Sequence, residues 1–355
     1  MLPPEVWVVG VMLAALTLYA LGAGADFGGG VWDLLATGPR ADRQRDLIAH
    51  AIGPVWEANH VWLILVVVLL FVAFPVAFAA VGIALHIPLV IMLIGIVLRG
   101  STFTFRTYDR HEDPVQRRWG RIFAIASTVT PIMLGVCVGA VASGRIRVDP
   151  GTARVTTDFF SSWLAPFPFA IGFFALALFA FLAAVYLTLE ARDRELRRVF
   201  RRRALISAVA VGVTAWASFL LAAEGAPLIR EGLANKWWSL PFQLFTGAVA
   251  IGAMAALWKG SYELARLLAI AQVSLILWGW GFAQFPYIVE PDLTFHNTAA
   301  PVRVLEMLLA ALGAGAFVLV PALWYLFHVF KGHRAALALD EPGAAPEEEH
   351  PPDTP

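Results

Sequence analysis

A glutamate and a histidine stand at the start of a long apolar run in this chain. The stretch GPVWEANHVW, residues 53–62, carries Glu57 and His60. Ionisable side chains within a membrane-spanning segment are costly and are therefore candidates for function. On a helix, two residues three positions apart point about 60° from each other, so this carboxylate and imidazole share a face. The pair has the chemistry of a proton relay.

Two further charged residues are predicted to lie at the same depth. Asp26 stands in GADFGGG near the end of the first apolar segment, and Arg99 ends the third. Successive spans run in opposite directions, so the end of the first, the start of the second and the end of the third meet at one membrane face. Asp26, Glu57, His60 and Arg99 are therefore predicted to form one cluster.

Each of these residues also has a simpler interpretation. Asp26 could be an interfacial acid in water, and Glu57 with Arg99 could be a structural ion pair. His60 could hydrogen-bond to a backbone carbonyl. The sequence alone leaves these alternatives open.

The neighbouring residues predict helix packing. Trp56 fits an ordinary interfacial tryptophan, whereas Trp62 is deeper and is predicted to pack. Asn59 points away from the Glu57 face, toward another helix. Gly24 and Gly28 have the G-x-x-x-G spacing that allows two helices to approach closely.

The elements that must position these residues are predicted membrane helices. The chain has 355 residues, of which 59% are hydrophobic and only 15% are charged, whereas a soluble domain carries about 25% charged residues. The predicted fold is an all-α integral membrane protein with nine transmembrane helices in bundles. Residues 1–330 form one polytopic domain, and residues 331–355 form a disordered cytoplasmic tail. The predicted spans are 5–25, 53–74, 76–98, 122–142, 163–188, 204–223, 241–258, 264–284 and 302–330.

The distribution of Lys and Arg predicts the orientation. With a periplasmic N-terminus and a cytoplasmic C-terminus, 20 of the 26 Lys and Arg residues fall in the inner segments and 6 in the outer ones. Cytoplasmic loops carry this excess of positive charge. The Asp26 and Glu57 face is therefore predicted to be cytoplasmic.

Composition also excludes several classes of function. The net charge is zero, and the arginine-rich segment 191–203 fits a loop at anionic lipid headgroups, so no nucleic-acid partner is predicted. Cys137 is the single cysteine, which excludes c-type haem attachment and cysteine-based metal sites within this chain alone. His86 is interpreted as a core histidine, because no second axial ligand is found at its depth.

Six motifs, in chain order, resemble subunit II of cytochrome bd-type quinol oxidases. They are GADFGGG, IGPVWEANHVWLI, AFP, LRGSTFTFR, SSWLAPFPFAIG and QFPYIV, and they cover most of the chain. The most specific element is GPVW-x-x-N-x-VW followed by RG-x-x-F-x-FR. The positions that match the family's acids, tryptophans, amide and arginines are Asp26, Glu57, Trp56, Trp62, Asn59, Arg99 and Arg106.

The resemblance implies a subunit of a bacterial inner-membrane oxidase. Such a complex oxidises quinol from the quinone pool and reduces oxygen to water. Haem b, haem d and the quinol site are expected in the haem-bearing subunit I, so no catalytic, metal or cofactor-binding residue is assigned to this chain. Subunit II is expected to supply a cytoplasmic proton path through Asp26, Glu57 and His60. A structural quinone or lipid within it and a small accessory membrane subunit are further expectations.

The sequence departs from the family pattern at several positions of that path. Ala23 and Thr104 stand where many members have an acid, and Glu57 stands where many have aspartate. His60 replaces what is often Glu or Gln. Two other functions remain open: a proton-coupled secondary transporter, and a purely structural subunit that stabilises a haem-bearing partner.

Overall fold

The structure is a computed structural model that describes residues 2–52, 56–108, 114–149 and 151–339. It describes side chains throughout these ranges except at positions 52, 56–58, 103–108, 114–117, 320, 323, 324 and 326–339.

Most of the described residues lie in helices, as the sequence predicted. The elements are α1 (Pro4–Leu34), α2 (Ala41–Ile52), α3 (Trp56–Ala73), α4 (Pro75–Ala84), α5 (His86–Tyr108), α6 (Pro114–Ala142), α7 (Pro166–Glu190), α8 (Arg194–Gly225), α9 (Pro227–Ala234), α10 (Ser239–Lys259), α11 (Tyr262–Gln284), β1 (Tyr287–Val289), β2 (Leu293–Thr294) and α12 (Val302–Leu339). The chain divides into two units, residues 1–302 and 303–355.

Most of the described helices are apolar enough to cross a membrane. Seven pass by length and composition, namely α1, α6, α7, α8, α10, α11 and α12. Helices α3 and α4 form an apolar pair bent by 119°, and α5 contains the shorter apolar helix His86–Thr102. Each predicted span overlaps at least one helix, but the predicted span 76–98 is divided at Leu85 between α4 and α5. The count of nine crossings and their direction stay predictions.

Helix α1 is longer than predicted, because it continues through the glycines of GADFGGG to Leu34. The glycines let α1 approach α7 closely. A Cβ placed on Gly24 would lie 2.8 Å from Cδ1 of Phe179, and one on Gly28 would lie 2.5 Å from the Phe179 carbonyl carbon. The G-x-x-x-G prediction is therefore confirmed. Further along, Trp32 Nε1 donates to the carbonyl of Ala180 at 2.8 Å.

Helix α7 lies at the centre of the first unit, where it packs against α1, α6 and α8. The main core consists of buried residues from several helices, with Phe27, Phe181 and Phe200 among its fully buried side chains. This packing fixes the rotation of α1, and with it the direction in which Asp26 points.

Two small β elements lie outside the helices. The antiparallel hairpin of β1 and β2 follows α11, and an isolated bridge joins Val148 to Val155 in the segment after α6. The hairpin region lies at the Glu5 end of α1, because His296 Nδ1 is 3.0 Å from Glu5 Oε1.

Beyond residue 302, α12 runs to Leu339 and enters the segment predicted as a tail. Residues 340–355 lie outside the described residues, so a disordered tail stays a prediction.

Candidate functional site

The centre of the candidate site is a buried ion pair between α1 and α5. Arg99 Nη2 donates to Asp26 Oδ1, and the two side chains are only 1% and 3% exposed. The guanidinium carbon lies 4.9 Å from the ring centroid of Phe27 and 5.2 Å from that of Phe123. Cation–π contacts of this kind add to the stabilisation of a desolvated cation.

This pairing excludes one of the interpretations that the sequence left open. Asp26 is not an interfacial acid in water, because it is buried against Arg99. Arg99 bonds to Asp26, and its suggested pairing with Glu57 stays a prediction. The side chain of Glu57 lies outside the described residues, as do those of Trp56 and Arg106.

His60 lies on α3 beside the ion pair. Its ring centroid is 6.0 Å from the ring of Tyr19 and 6.0 Å from the ring of Phe27, the residue next to Asp26. Both ring nitrogens are buried, and neither has a hydrogen-bond partner in the described part of the chain. The suggested bond from His60 to a backbone carbonyl is therefore absent among these residues.

Tyr19 joins the site although the sequence analysis did not select it. It lies seven residues before Asp26 on α1, which is about two helical turns, so both side chains project from nearly the same face. It is fully buried, and its hydroxyl has no partner among the residues with described side chains. A tyrosine in an apolar helix does not by itself indicate a functional site. The spacing of seven residues from Asp26 was the sequence feature that could have identified Tyr19.

Two of the predicted packing residues hold α3 in place. A Cβ placed on Gly22 would lie 2.9 Å from Cγ of Asn59, so α1 and α3 meet closely at this point. Trp62 is half-buried and packs against the main core. Both observations agree with the predicted packing roles of these residues, and together they position His60 against α1.

We call Asp26, Arg99, His60 and Tyr19 the Asp26 cluster. Within it, Asp26 Oδ2, Arg99 Nε, the Tyr19 hydroxyl and both His60 nitrogens are buried without a described partner. Buried polar atoms are normally paired with protein groups or ordered water. The cluster thus retains donors and acceptors that internal water could connect, which is the arrangement that proton transfer requires.

A cavity of about 620 Å³ adjoins the Asp26 cluster. Most of its lining is apolar, but it includes Tyr19, Ser218 and Trp280. The hydroxyls of Tyr19 and Ser218 and the indole Nε1 of Trp280 are all buried without a partner in the described chain. The cavity therefore suits an apolar molecule that carries hydrogen-bonding oxygens.

The described residues hold no group of three or more His, Cys, Asp or Glu side chains that could bind a metal ion. His86 begins α5, where its Nδ1 lies 2.9 Å from the carbonyl of Ile83 and its ring packs edge-on against Phe159.

Comparison with known proteins gives consistent matches over most of the chain. The family model described as cytochrome bd terminal oxidase subunit II matches residues 3–330. A Bacillus subtilis (strain 168) chain, whose assigned name is that of a cytochrome bd menaquinol oxidase subunit II, is 22% identical over 94% of this chain and 97% of its own length. Cytochrome bd-I ubiquinol oxidase subunit 2 of Escherichia coli (strain K12) is 28% identical over 51% of this chain and 47% of its own length.

A solved structure shares the fold. A chain of the bd oxidase from Geobacillus thermodenitrificans superposes with a TM-score of 0.76 and covers 92% of this chain and 98% of its own length, at 21% identity. The apolar helices and the family match agree with a bacterial inner-membrane location. This multi-pass membrane protein belongs to the cytochrome bd terminal oxidase subunit II family.

Proposed function

We propose that this chain is the non-haem subunit of a bd-type quinol oxidase and provides the path by which protons enter from the cytoplasm. In this proposal, haem b and haem d reside in the partner subunit I, where quinol is oxidised and oxygen is reduced to water. The chain also stabilises that haem-bearing partner. Its own residues bind and pass protons and perform no electron transfer.

The observation that carries the proposal is the set of buried polar atoms in the Asp26 cluster that have no hydrogen-bond partner among the described side chains. A buried acid, an imidazole and a phenol lie along one side of α1, with Arg99 fixed against the acid. Leaving such groups unpaired in the fold costs about 1–3 kcal/mol each. A role in proton transfer with internal water gives a reason for the protein to keep them.

The departures from the family pattern fit the same path. Ala23 and Thr104 supply no carboxyl group, so fewer acids are available than in many relatives. The His60 ring lies between Asp26 and Tyr19 along α1, judged by its contacts with Phe27 and Tyr19. We propose that His60 replaces one of the missing acids, and that Glu57 receives protons at the surface.

The proposal is tested by neutralising the acids in the intact complex. Asp26→Asn and Glu57→Gln remove the carboxylates with little change in size. We expect slower oxygen consumption with unchanged haem content, because electron transfer in the partner is intact while protons arrive slowly. Glu190→Gln is the matched control, since Glu190 is an exposed acid at the end of α7.

The outcomes distinguish the three functions. Normal turnover in the Asp26→Asn, Glu57→Gln double variant would contradict the proton path and leave a purely structural subunit. Affinity purification from the native membrane separates both from a transporter. We expect a second large membrane subunit to copurify, with haem b and haem d bands in the reduced-minus-oxidised spectrum. A colourless chain recovered alone after gentle solubilisation would favour a proton-coupled transporter.

A second proposal concerns the apolar cavity, which we assign to a structural quinone or a lipid. The polar groups of Tyr19, Ser218 and Trp280, which have no partner among the described residues, support it. The phenol and the indole can each donate a hydrogen bond to an ester or quinone oxygen. Organic extraction of the purified complex should yield this molecule in about one copy. The Tyr19→Phe, Ser218→Ala variant should lose it, and equal recovery from both proteins would contradict the assignment.

A further inference from the structure

Glu290 is a buried acid that the proposed proton path does not use. It follows β1 in the segment FPYIVEPDLTF, which from the sequence resembles a solvated loop. In the structure it is only 1% exposed. Both carboxyl oxygens are buried, and neither has a hydrogen-bond partner among the described residues.

The backbone of Glu290 attaches the hairpin to the helical bundle. Its amide donates to the carbonyl of Val141, in the last turn of α6, at 3.1 Å. Nearby, the amide of Phe295 donates to the Pro286 carbonyl at 3.2 Å, which closes the hairpin. Because the buried carboxyl group and this amide belong to the same residue, we expect an opening of the hairpin that exposes the acid to break this hydrogen bond.

The charged groups nearby are engaged elsewhere. Arg147, which follows α6, donates through Nε to Asp292 at 2.9 Å, and Asp292 also accepts from the amide of Val148 at 3.0 Å. Just after β2, His296 Nδ1 is 3.0 Å from Glu5 Oε1.

The remaining neighbours offer no counter-charge either. Arg145 donates to the Ser161 carbonyl at 3.5 Å. Helix α4, which contacts β1, has the sequence PVAFAAVGIA and contains no titratable side chain. None of the described cations pairs with Glu290.

From this arrangement we infer that Glu290 is a proton-binding site that acts as a pH-sensitive latch. In its protonated form the carboxyl group stays buried and the hairpin stays on α6. In its ionised form the carboxylate is stabilised by water, which favours opening of the segment 285–300. This latch is separate from the Asp26 cluster and does not depend on the proposed proton path.

The sign of the effect follows from burial. Burial raises the pKa of Glu290 from its ordinary 4.5 to about 8. An open hairpin exposes the acid and restores the ordinary value, so between pH 4.5 and pH 8 the closed form binds more protons than the open form. Protection is therefore greatest at low pH, is lost progressively as the pH rises toward 8, and changes little above that.

Amide hydrogen exchange of the intact complex measures this directly. In the regime where exchange reports the opening equilibrium, the protection factor of peptides from residues 285–300 should fall about tenfold per pH unit between about pH 5 and 7.5. Peptides from α7 serve as the internal reference for global opening. In Glu290→Gln, protection of the hairpin should no longer depend on pH.

The control is Glu231→Gln, which neutralises an exposed acid on α9 and should keep the wild-type profile. Identical pH profiles in the wild type and Glu290→Gln would overturn the latch. If Glu290→Gln does not assemble, the wild-type profile decides: hairpin protection that stays constant between pH 5 and 8 overturns the inference as well.

Discussion

The ion pair of Asp26 and Arg99 allows a quantitative prediction. We consider three variants of the intact complex: Asp26→Asn, Arg99→Gln and the double variant. Each single change leaves one buried charge without its partner, whereas the double change removes both charges and keeps two polar side chains of similar size. The variants therefore form a double-mutant cycle around one contact.

The structure sets the expected magnitudes. Both side chains are at most 3% exposed, so solvent screening does not reduce the penalty for an unpaired charge. Breaking a buried pair on one side costs about 3–5 kcal/mol. The cost of Asp26→Asn should be at the lower end of that range, because the Phe27 and Phe123 rings still stabilise the guanidinium of Arg99. The double variant should lose less stability than Arg99→Gln alone.

Thermal denaturation of the purified complex provides the assay. Membrane complexes unfold irreversibly, so midpoints must be compared at one scan rate and one detergent concentration. Haem absorbance and intrinsic fluorescence should be followed together, so that loss of the partner's haem is distinguished from unfolding of this chain.

The decisive observation is whether the shifts in denaturation midpoint of the two single variants add in the double variant. We predict that the double variant denatures at a higher temperature than Arg99→Gln. If its midpoint instead drops by the sum of the two single shifts, the two charges do not compensate each other, and the account of the cluster as a mutually neutralised pair is wrong.

Two further predictions concern the packing of α1. Gly28→Ala should destabilise the complex by about 1–3 kcal/mol, because the new Cβ would overlap the Phe179 carbonyl; the control Gly10→Ala, on the same helix with nothing within 4 Å, should be neutral or slightly stabilising in the same thermal assay. Trp32→Phe should cost about 1–3 kcal/mol, since it removes the hydrogen bond that the Trp32 indole donates to the Ala180 carbonyl. Equal midpoints for Gly28→Ala and Gly10→Ala, or an unchanged midpoint for Trp32→Phe, would contradict these contacts.

Much of the site was predictable because depth in a membrane follows from the order of the spans. The positions of Asp26, His60 and Arg99 along their helices placed them at one end of the bundle, and the structure brings these three together. Depth does not determine rotation about the helix axis. For that reason the sequence did not indicate that Arg99 faces Asp26.

Other features depended on tertiary packing that no local pattern reveals. Helix α1 continues past Gly28 because α7 packs against its glycine face, whereas glycines in sequence suggest a helix end. Tyr19 became a site residue only once His60 was placed beside it. From the sequence, Glu290 was interpreted as an acid in a solvated loop. Its burial depends on packing of the hairpin against α6, whose contacting residue is nearly 150 positions away along the chain.

The central claim is that the Asp26 cluster carries protons. The most direct test is a single-turnover reaction of the fully reduced complex with oxygen, in which a pH-indicator dye reports proton uptake and absorbance reports haem oxidation. We predict that Asp26→Asn slows proton uptake by about a hundredfold, the scale of a lost acid–base group, while Glu190→Gln leaves it unchanged and haem content is equal in all three proteins. Proton uptake at the wild-type rate in Asp26→Asn would contradict the claim.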